Sequence, residues 1–223
     1  MSELTEQIAQ CVERGKVNAE APYPPDMKGQ DGVYELTKTA LEQGTDPNEI
    51  LTGGLMQGMS VVGKKFSRNE VFVPDLLMAA KAMAAGMDQL KPSFESGAAR
   101  HKGTFIVGTV QGDLHDIGKN LVRMLMEGAG WEVIDLGVDT APEQFIEEMD
   151  KHPGAVIGLS ALLTTTMVNM EKTIKLVKEK APDCVVVVGG APLTQEFCDK
   201  IGADAYSPDP QGAIEYLDSV VNN

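Results

Sequence analysis

The residue pattern of this 223-residue chain changes abruptly near residue 100, and that change limits the folds open to it. Before it, apolar residues recur every three or four positions, which predicts amphipathic helices. After it, short β-branched runs alternate with helical segments, which predicts a parallel sheet covered by helices on both faces. We therefore expect a helical domain at 1–91, a linker at 92–102 and an α/β domain at 103–223.

Four helices are predicted in the first region. The first ends at Gly15 and the second at Gly44, because glycine readily takes the left-handed conformation that closes a helix. The third begins at Asp46, an N-cap residue followed directly by proline, and the fourth begins near Pro74. Short connections between helices of this kind are typical of a four-helix bundle.

Five strands are predicted in the second region. They are the apolar runs TFIVGTV, WEVIDLG, GAVIGLS, CVVVVGG and ADAYS. Strands that alternate with helices predict a five-stranded, parallel, doubly wound sheet of the flavodoxin-like or Rossmann-like kind. In such sheets ligands bind beyond the carboxyl ends of the strands, so the loops after the strands are where a binding site is expected.

Composition excludes several classes of function. The net charge of −14 disfavours binding to nucleic-acid backbones and to anionic membrane surfaces, so neither is expected as a partner. No apolar run approaches the roughly 18 residues that a transmembrane helix needs. The polar, acidic N-terminus is unlike a signal peptide, which predicts a cytoplasmic protein. The three cysteines lie far apart and predict neither a disulfide framework nor a zinc site.

The loop after the first predicted strand holds the strongest candidate for chemistry. His115 could ligate a metal or act as a general base, and Asp113 is close enough to orient its second ring nitrogen. The alternative is that His115 is a helix cap or a solvated side chain. Because His101 and His152 lie in other loops, a metal here would take most of its ligands from elsewhere, as in a macrocyclic cofactor.

The pattern Asp113-x-His115-x-x-Gly118, within the longer segment GDLHDIGKNLV, resembles the signature of cobalamin-binding domains. In that family the histidine replaces the cofactor's own dimethylbenzimidazole as the lower ligand of cobalt, and the nucleotide tail enters the sheet domain. The resemblance implies cobalamin as the cofactor, His115 as the cobalt ligand and Asp113 as its hydrogen-bond partner. It also makes Gly112, Asp116 and Gly118 candidate cofactor contacts.

Two later loops carry further parts of this resemblance. The segment GLSALLTTTM is similar to the family's GLSxLxT motif, which implies that Ser160 and Thr164 contact the nucleotide tail. By the same resemblance Thr166 supports Asp113. The alternative is a Ser/Thr-rich helix start with an ordinary capping role. The pair Gly189-Gly190 matches the family's GG, where the tail approaches the backbone closely.

The helical region resembles the cap of methionine synthase and of methyltransferase-associated corrinoid proteins. The segments that carry this likeness are GGLMQGMSVVGKKF and NEVFVPDLLMAAKAM. The resemblance implies that the cap shields the upper face of the corrin, with Phe66 and Val73 touching that face. The alternative is that Phe66 is part of the bundle core.

The resemblance implies a methyl carrier that is not catalytic alone. A substrate-specific methyltransferase would supply the methyl group, and a second methyltransferase would pass it to coenzyme M or tetrahydrofolate. A reductive activation protein is the third expected partner, and His115, Asp113 and Thr166 are the residues expected to act in the methyl-transfer cycle. Three alternatives remain: the cobalamin subunit of an adenosylcobalamin-dependent mutase, a cobalamin-dependent sensor, and a flavodoxin-like domain without cobalt.

Overall fold

The structure, a computed structural model, describes residues 2–221 and divides them into two compact units. The first unit runs to His101 and includes Gly128–Gly130, and the second comprises Lys102–Glu127 and the chain from Trp131 onward. The first unit is helical and the second is an α/β unit with a five-stranded parallel sheet, so the predicted fold class is confirmed.

The helices of the first unit lie close to their predicted positions. They are α1 (Glu3–Glu13), a 3₁₀ turn (Pro25–Met27), α2 (Val33–Glu42), α3 (Pro47–Glu49), a π-helical segment (Ile50–Met56), α4 (Gln57–Ser67) and α5 (Val73–Glu95). Gly15 and Gly44 follow α1 and α2 with φ angles of 68° and 79°, the left-handed values predicted for them. Asp46 caps α3 through hydrogen bonds from two backbone N–H groups.

The third predicted helix is continuous, but seven residues in its first half are π-helical rather than α-helical. After α3 the backbone widens into the π-helical segment before α4 begins. Gly54 lies in this segment against α1, where a Cβ atom would come within 2.9 Å of Cγ2 of Ile8. A π-helical turn holds more residues per turn than an α-helix, and apolar residues spaced by three or four positions are compatible with both.

The predicted linker begins later than expected. Helix α5 continues to Glu95 and contains Pro92, so the first four residues of the segment 92–102 are helical. A proline inside a helix removes one N–H donor and usually ends or kinks the helix. Here it lies in the last turns of a 23-residue helix, and the backbone hydrogen bonds continue past it, with the N–H of Ser96 donating to the carbonyl of Pro92.

The α/β unit alternates strands and helices throughout. Its strands are β1 (Thr104–Thr109), β2 (Glu132–Asp135), β3 (Val156–Ser160), β4 (Val186–Gly189) and β5 (Ala205–Tyr206). Its helices are α6 (Ile117–Gly128), α7 (Pro142–Lys151), α8 (Met167–Lys180), α9 (Gln195–Ile201) and α10 (Pro210–Val221). All neighbouring strands are parallel, in the order β2-β1-β3-β4-β5. The order reverses between β1 and β3, which is where such sheets bind ligands.

The two faces of the sheet are filled differently. One face packs against α7, α8 and α9 in a hydrophobic core that includes Ile106, Ile157, Val186, Phe145, Ile174 and Cys198. Because successive side chains point to opposite faces, Phe105, Val107 and Val187 lie on the other face. There they line a cavity together with residues of α6 and α10. One face of the sheet is therefore packed against a hydrophobic core, and the other face borders a cavity.

Two further predictions concern membrane-spanning helices and the three cysteines. None of the helices between residues 2 and 221 is long and apolar enough to cross a membrane. Cys11, Cys184 and Cys198 are all free thiols. Burial raises the pKa of the Cys11 thiol to about 11, because the thiolate would lose its hydration, so this thiol stays protonated.

We predict that Gly158→Ala destabilises the α/β unit by about 1–3 kcal/mol through overpacking. A Cβ atom at Gly158 would lie 2.3 Å from Cζ of Phe105, whose ring covers this part of β3. Urea unfolding followed by the fluorescence of Trp131, the chain's single tryptophan, measures the loss. When Phe105→Leu is added, the double variant should lose less free energy of unfolding than the sum of the losses in the two single variants. Strictly additive losses would contradict the steric explanation.

Candidate functional site

The site begins in the turn that follows β1. Gly112 has a φ of 83°, a value that favours glycine, and the N–H of Asp113 donates to the carbonyl of Val110 at 3.1 Å. Thr109, the last residue of β1, donates its hydroxyl proton to the carbonyl of His115 at 2.8 Å. These contacts fold the chain back on itself, so Asp113 points into the protein while His115 remains at the surface.

The carboxylate of Asp113 is fully buried and accepts hydrogen bonds on both oxygens. Oδ1 lies 3.0 Å from Nδ1 of His115 and also accepts the backbone N–H of His115 at 3.1 Å. Oδ2 accepts the backbone N–H groups of Leu162 and Leu163 at 2.8 Å and 3.1 Å. The hydroxyl of Thr166 completes the set at 2.8 Å from Oδ2. The carboxylate thus joins the loop after β1 to the loop after β3.

Thr166 has one hydroxyl proton and two nearby acceptors. Its Oγ1 lies 2.8 Å from Oδ2 of Asp113 and 2.8 Å from the carbonyl of Leu163. That carbonyl already accepts the backbone N–H of Thr166 at 3.1 Å. A buried carboxylate loses more from a missing donor than a carbonyl that is already paired, so the proton is best placed toward Asp113.

The protonation of Asp113 decides what His115 can do. Burial alone would raise the pKa of Asp113, but hydrogen bonds from Leu162, Thr166 and His115 outweigh it and hold the pKa well below its usual range. An ionised carboxylate only accepts hydrogen bonds, so Nδ1 of His115 carries the ring proton. A neutral imidazole held in this way has its lone pair on Nε2, and the side chain is 52% exposed, so this nitrogen can ligate a metal.

A cavity of about 500 Å³ opens beside His115 and extends between the sheet and helices α6 and α10. Its wall includes six of the residues predicted to contact a cofactor, namely His115, Asp116, Gly118, Ser160, Gly189 and Gly190. Thr164 does not line it: this residue is exposed, in the turn whose backbone folds over Asp113. The geometry therefore gives no support to the predicted tail contact of Thr164. Gly112 also lies outside the wall, where its N–H donates to Asp139.

Two glycines of the wall differ in what the fold requires of them. Gly190 has a φ of 141°, and a Cβ atom there would lie 1.8 Å from the carbonyl oxygen of Ala161. The fold itself therefore demands glycine at this position, whatever the cavity holds. At Gly118, by contrast, no atom outside its chain neighbours and the adjacent backbone of its own helix lies within 4 Å of the Cβ position, and the backbone is unstrained. This side of the cavity has room that the protein itself does not use.

Asp139 is a positioning residue that the sequence reasoning missed. It follows β2 with a φ of 52°, which is unusual for a residue other than glycine. Its Oδ1 accepts the N–H of Gly112 at 2.7 Å, and its own N–H donates to the carbonyl of Asp113 at 2.9 Å. A polar residue just after a predicted strand was a visible signal. Its pairing with a loop 27 positions away required knowing that β2 lies beside β1.

Phe66 and Val73 belong to the helical unit. Phe66 is half-buried near the end of α4, and Val73 begins α5 with 37% of its surface exposed. Their contact with the upper face of a corrin stays a prediction.

Comparisons with known proteins agree with the geometry. Residues 103–214 and residues 30–91 each match a family model described as a B12 binding domain. Dimethylamine corrinoid protein 1 of Methanosarcina acetivorans is 44% identical over 76% of this chain and 81% of its own. Trimethylamine corrinoid protein 2 of Methanosarcina mazei is 40% identical over 81% and 84%. The methanol:cobalamin methyltransferase complex of Methanosarcina barkeri contains a chain with a TM-score of 0.83 and 29% identity, covering 100% of this chain and 81% of that one.

We predict that Asp113→Asn lowers the free energy of unfolding at pH 7 by about 1–3 kcal/mol, because an amide offers donors where the site supplies only donors. The pKa of Asp113 is lower in the folded than in the unfolded protein. Its stabilising effect is therefore present above the unfolded pKa of about 3.9 and fades as the pH falls below it. The difference between the two proteins should shrink below about pH 4.

Urea unfolding at a series of pH values, read by Trp131 fluorescence, measures this difference. Asp116→Asn is the matched control, since Asp116 is exposed, directly precedes α6, and asparagine caps a helix as well as aspartate does. A constant gap between wild type and Asp113→Asn down to pH 3 would show that Asp113 is not held ionised by these donors.

Proposed function

Since this chain belongs to the family of corrinoid proteins built on B12-binding domains, we propose that it carries a methyl group on a corrinoid bound base-off, with His115 as the lower ligand. The observation that carries the proposal is the imidazole of His115. Its Nδ1 is held at 3.0 Å from a buried carboxylate, and the ring stands at the mouth of a cavity of about 500 Å³.

The residues present fit a corrinoid. The cavity volume lies within the range of known cofactor sites, roughly 300–1,000 Å³. The open space at Gly118 is a place that a ligand could fill. Three apolar side chains that line the cavity with His115 are exposed, namely Leu114 at 71%, Ile117 at 75% and Leu162 at 41%. Exposed apolar groups around a ligating nitrogen suit a flat macrocycle that covers them.

When bound, the corrinoid supplies the cobalt that accepts and releases a methyl group. The chain's own residues bind and orient. Asp113 fixes the tautomer of His115, so that Nε2 is the ligating nitrogen. Thr166 and the N–H groups of Leu162 and Leu163 hold Asp113 in place and keep it ionised. Gly118, Ser160 and Gly189-Gly190, which line the cavity, would hold the nucleotide tail.

Carrier function implies partner enzymes. We propose a substrate-specific methyltransferase, a second methyltransferase that uses coenzyme M or tetrahydrofolate, and a reductive activation protein, all in the cytoplasm. The similarity to a chain of the methanol:cobalamin methyltransferase complex supports the first of these. Similar corrinoid proteins are named for dimethylamine and for trimethylamine, which points to a small methylated compound as the methyl donor.

The competing functions are a mutase subunit and a cobalamin-dependent sensor. The named relatives are corrinoid proteins that match most of this chain, helical region included. This extent of similarity favours the carrier.

We predict that the protein reconstituted with hydroxocobalamin binds one cofactor with histidine nitrogen as the lower ligand. Electron paramagnetic resonance of the Co(II) form reports this nitrogen through its hyperfine splitting. Labelling the protein with ¹⁵N-histidine should change the splitting from a triplet to a doublet. The doublet should be absent from labelled His115→Ala and present in labelled His152→Ala, a control whose ring lies instead beside Glu148. A triplet that survives labelling would mean that the cofactor keeps its own base, and the proposal would fail.

We predict that Gly118→Ala separates binding from folding. Alanine at this helical position meets open space, so the unliganded variant should be as stable as wild type or up to about 1 kcal/mol more stable. The added methyl group occupies room used by the nucleotide tail, so cobalamin should bind at least tenfold more weakly. Cobinamide, which lacks the tail, should be affected much less. Unchanged cobalamin affinity would exclude Gly118 from the tail site.

A further inference from the structure

The cavity beside His115 is polar at one end only. Its polar side chains, His115, Asp116, Lys119, Ser160, Ser207 and Asp209, lie at the carboxyl ends of strands, in the loops that follow, or in the first turn of α6. This end is the mouth, where ligands of such sheets enter.

Several of these polar groups are already paired within the protein. Nζ of Lys119 lies 2.6 Å from both carboxylate oxygens of Asp135. The hydroxyl of Ser207 donates to the carbonyl of Asp209, and Oδ1 of Asp209 accepts two backbone N–H groups at the start of α10. These contacts pair Lys119, Ser207 and Asp209 within the protein, so even at the mouth these three groups have their partners already.

The inner end is apolar. Phe105 and Val107 contribute from β1, Val187 from β4, Val122 from α6 and Ala213 from α10. Phe105 lies four residues before the end of β1, which places it about 13 Å inward along the strand. The strand backbones here pair with one another in the sheet, so they offer no free donors or acceptors.

Resting on the proposed function, we infer that this inner end selects corrinoids whose tail ends in a benzimidazole over those whose tail ends in a purine. The base is the last part of the tail and would reach furthest inward. The six-membered ring of dimethylbenzimidazole carries only carbon and methyl groups, which suit apolar walls. The six-membered ring of adenine carries two nitrogens and an amino group, and each would be buried without a partner.

The experiment compares three corrinoids on the full chain: hydroxocobalamin, its analogue with adenine as the lower base, and cobinamide without a tail. Absorbance titration gives each dissociation constant. The two complete corrinoids differ in how readily they release their own base. The free energy of this release is measured by acid titration of each free corrinoid and is subtracted from the free energy of binding. A buried unpaired polar group costs enough to weaken binding roughly ten- to hundredfold, and this is the preference expected for the benzimidazole form.

Two isosteric substitutions test whether the inner end of the cavity causes the preference for the benzimidazole form. Val107→Thr places a hydroxyl group in the inner end with little change of shape, and should narrow the preference at least threefold. Val186→Thr makes the same change on the filled face of the sheet, in the core against α7, α8 and α9. It should leave the preference as in wild type.

The outcomes separate this inference from the proposed function. Equal corrected affinities of wild type for the two complete corrinoids, with histidine ligation in both, would overturn the base preference and leave the carrier function standing. Absence of histidine ligation with every corrinoid would overturn both. A wild-type preference that Val107→Thr and Val186→Thr narrow equally would show that the inner end is not its source, which also overturns the inference.

Discussion

The buried carboxylate of Asp113 joins parts of the chain that are distant in sequence, and the rest of the site depends on it. Its two oxygens receive hydrogen bonds from His115, two positions away, and from Leu162, Leu163 and Thr166, which lie 49 to 53 positions away. Without this carboxylate the backbone N–H groups of Leu162 and Leu163 would lose their acceptor, and the ring of His115 would be free to turn. The same contacts keep the group ionised despite its burial. The path of the two loops and the orientation of the His115 ring therefore depend on one side chain.

The sheet order brings these donors together. Because β1 lies between β2 and β3, the loops after all three strands meet at one edge. Asp139 holds the turn after β1 from the β2 side, and the N–H groups after β3 hold Asp113 from the other. The loop that carries His115 is thus fixed on both flanks, as would be required of a ligand that keeps its orientation when a cofactor binds or leaves.

The sequence could predict what depends on local pattern. Helix ends at Gly15 and Gly44, the five strands and the spacing between Asp113 and His115 are local features. The π-helical turn near Gly54 could not be predicted, because it arises where α1 packs against that turn. Asp139 could not be paired with Gly112 before the order of the strands was known. The need for glycine at position 190 comes from a carbonyl of the neighbouring loop, which no motif displays.

The cavity between the sheet and helices α6 and α10 affects how the protein responds to hydrostatic pressure. Pressure favours the state of smaller volume, and voids inside a folded protein disappear when it unfolds. The apolar inner end of the cavity, lined by Phe105 and Val107, holds water poorly, so its share of the roughly 500 Å³ adds to the volume that the α/β unit loses on unfolding. A bound nucleotide tail would fill that space and complete the second face of the sheet. The cofactor would then supply packing contacts on the second face of the sheet, and the protein with bound cofactor should unfold only at a higher pressure than the protein without it.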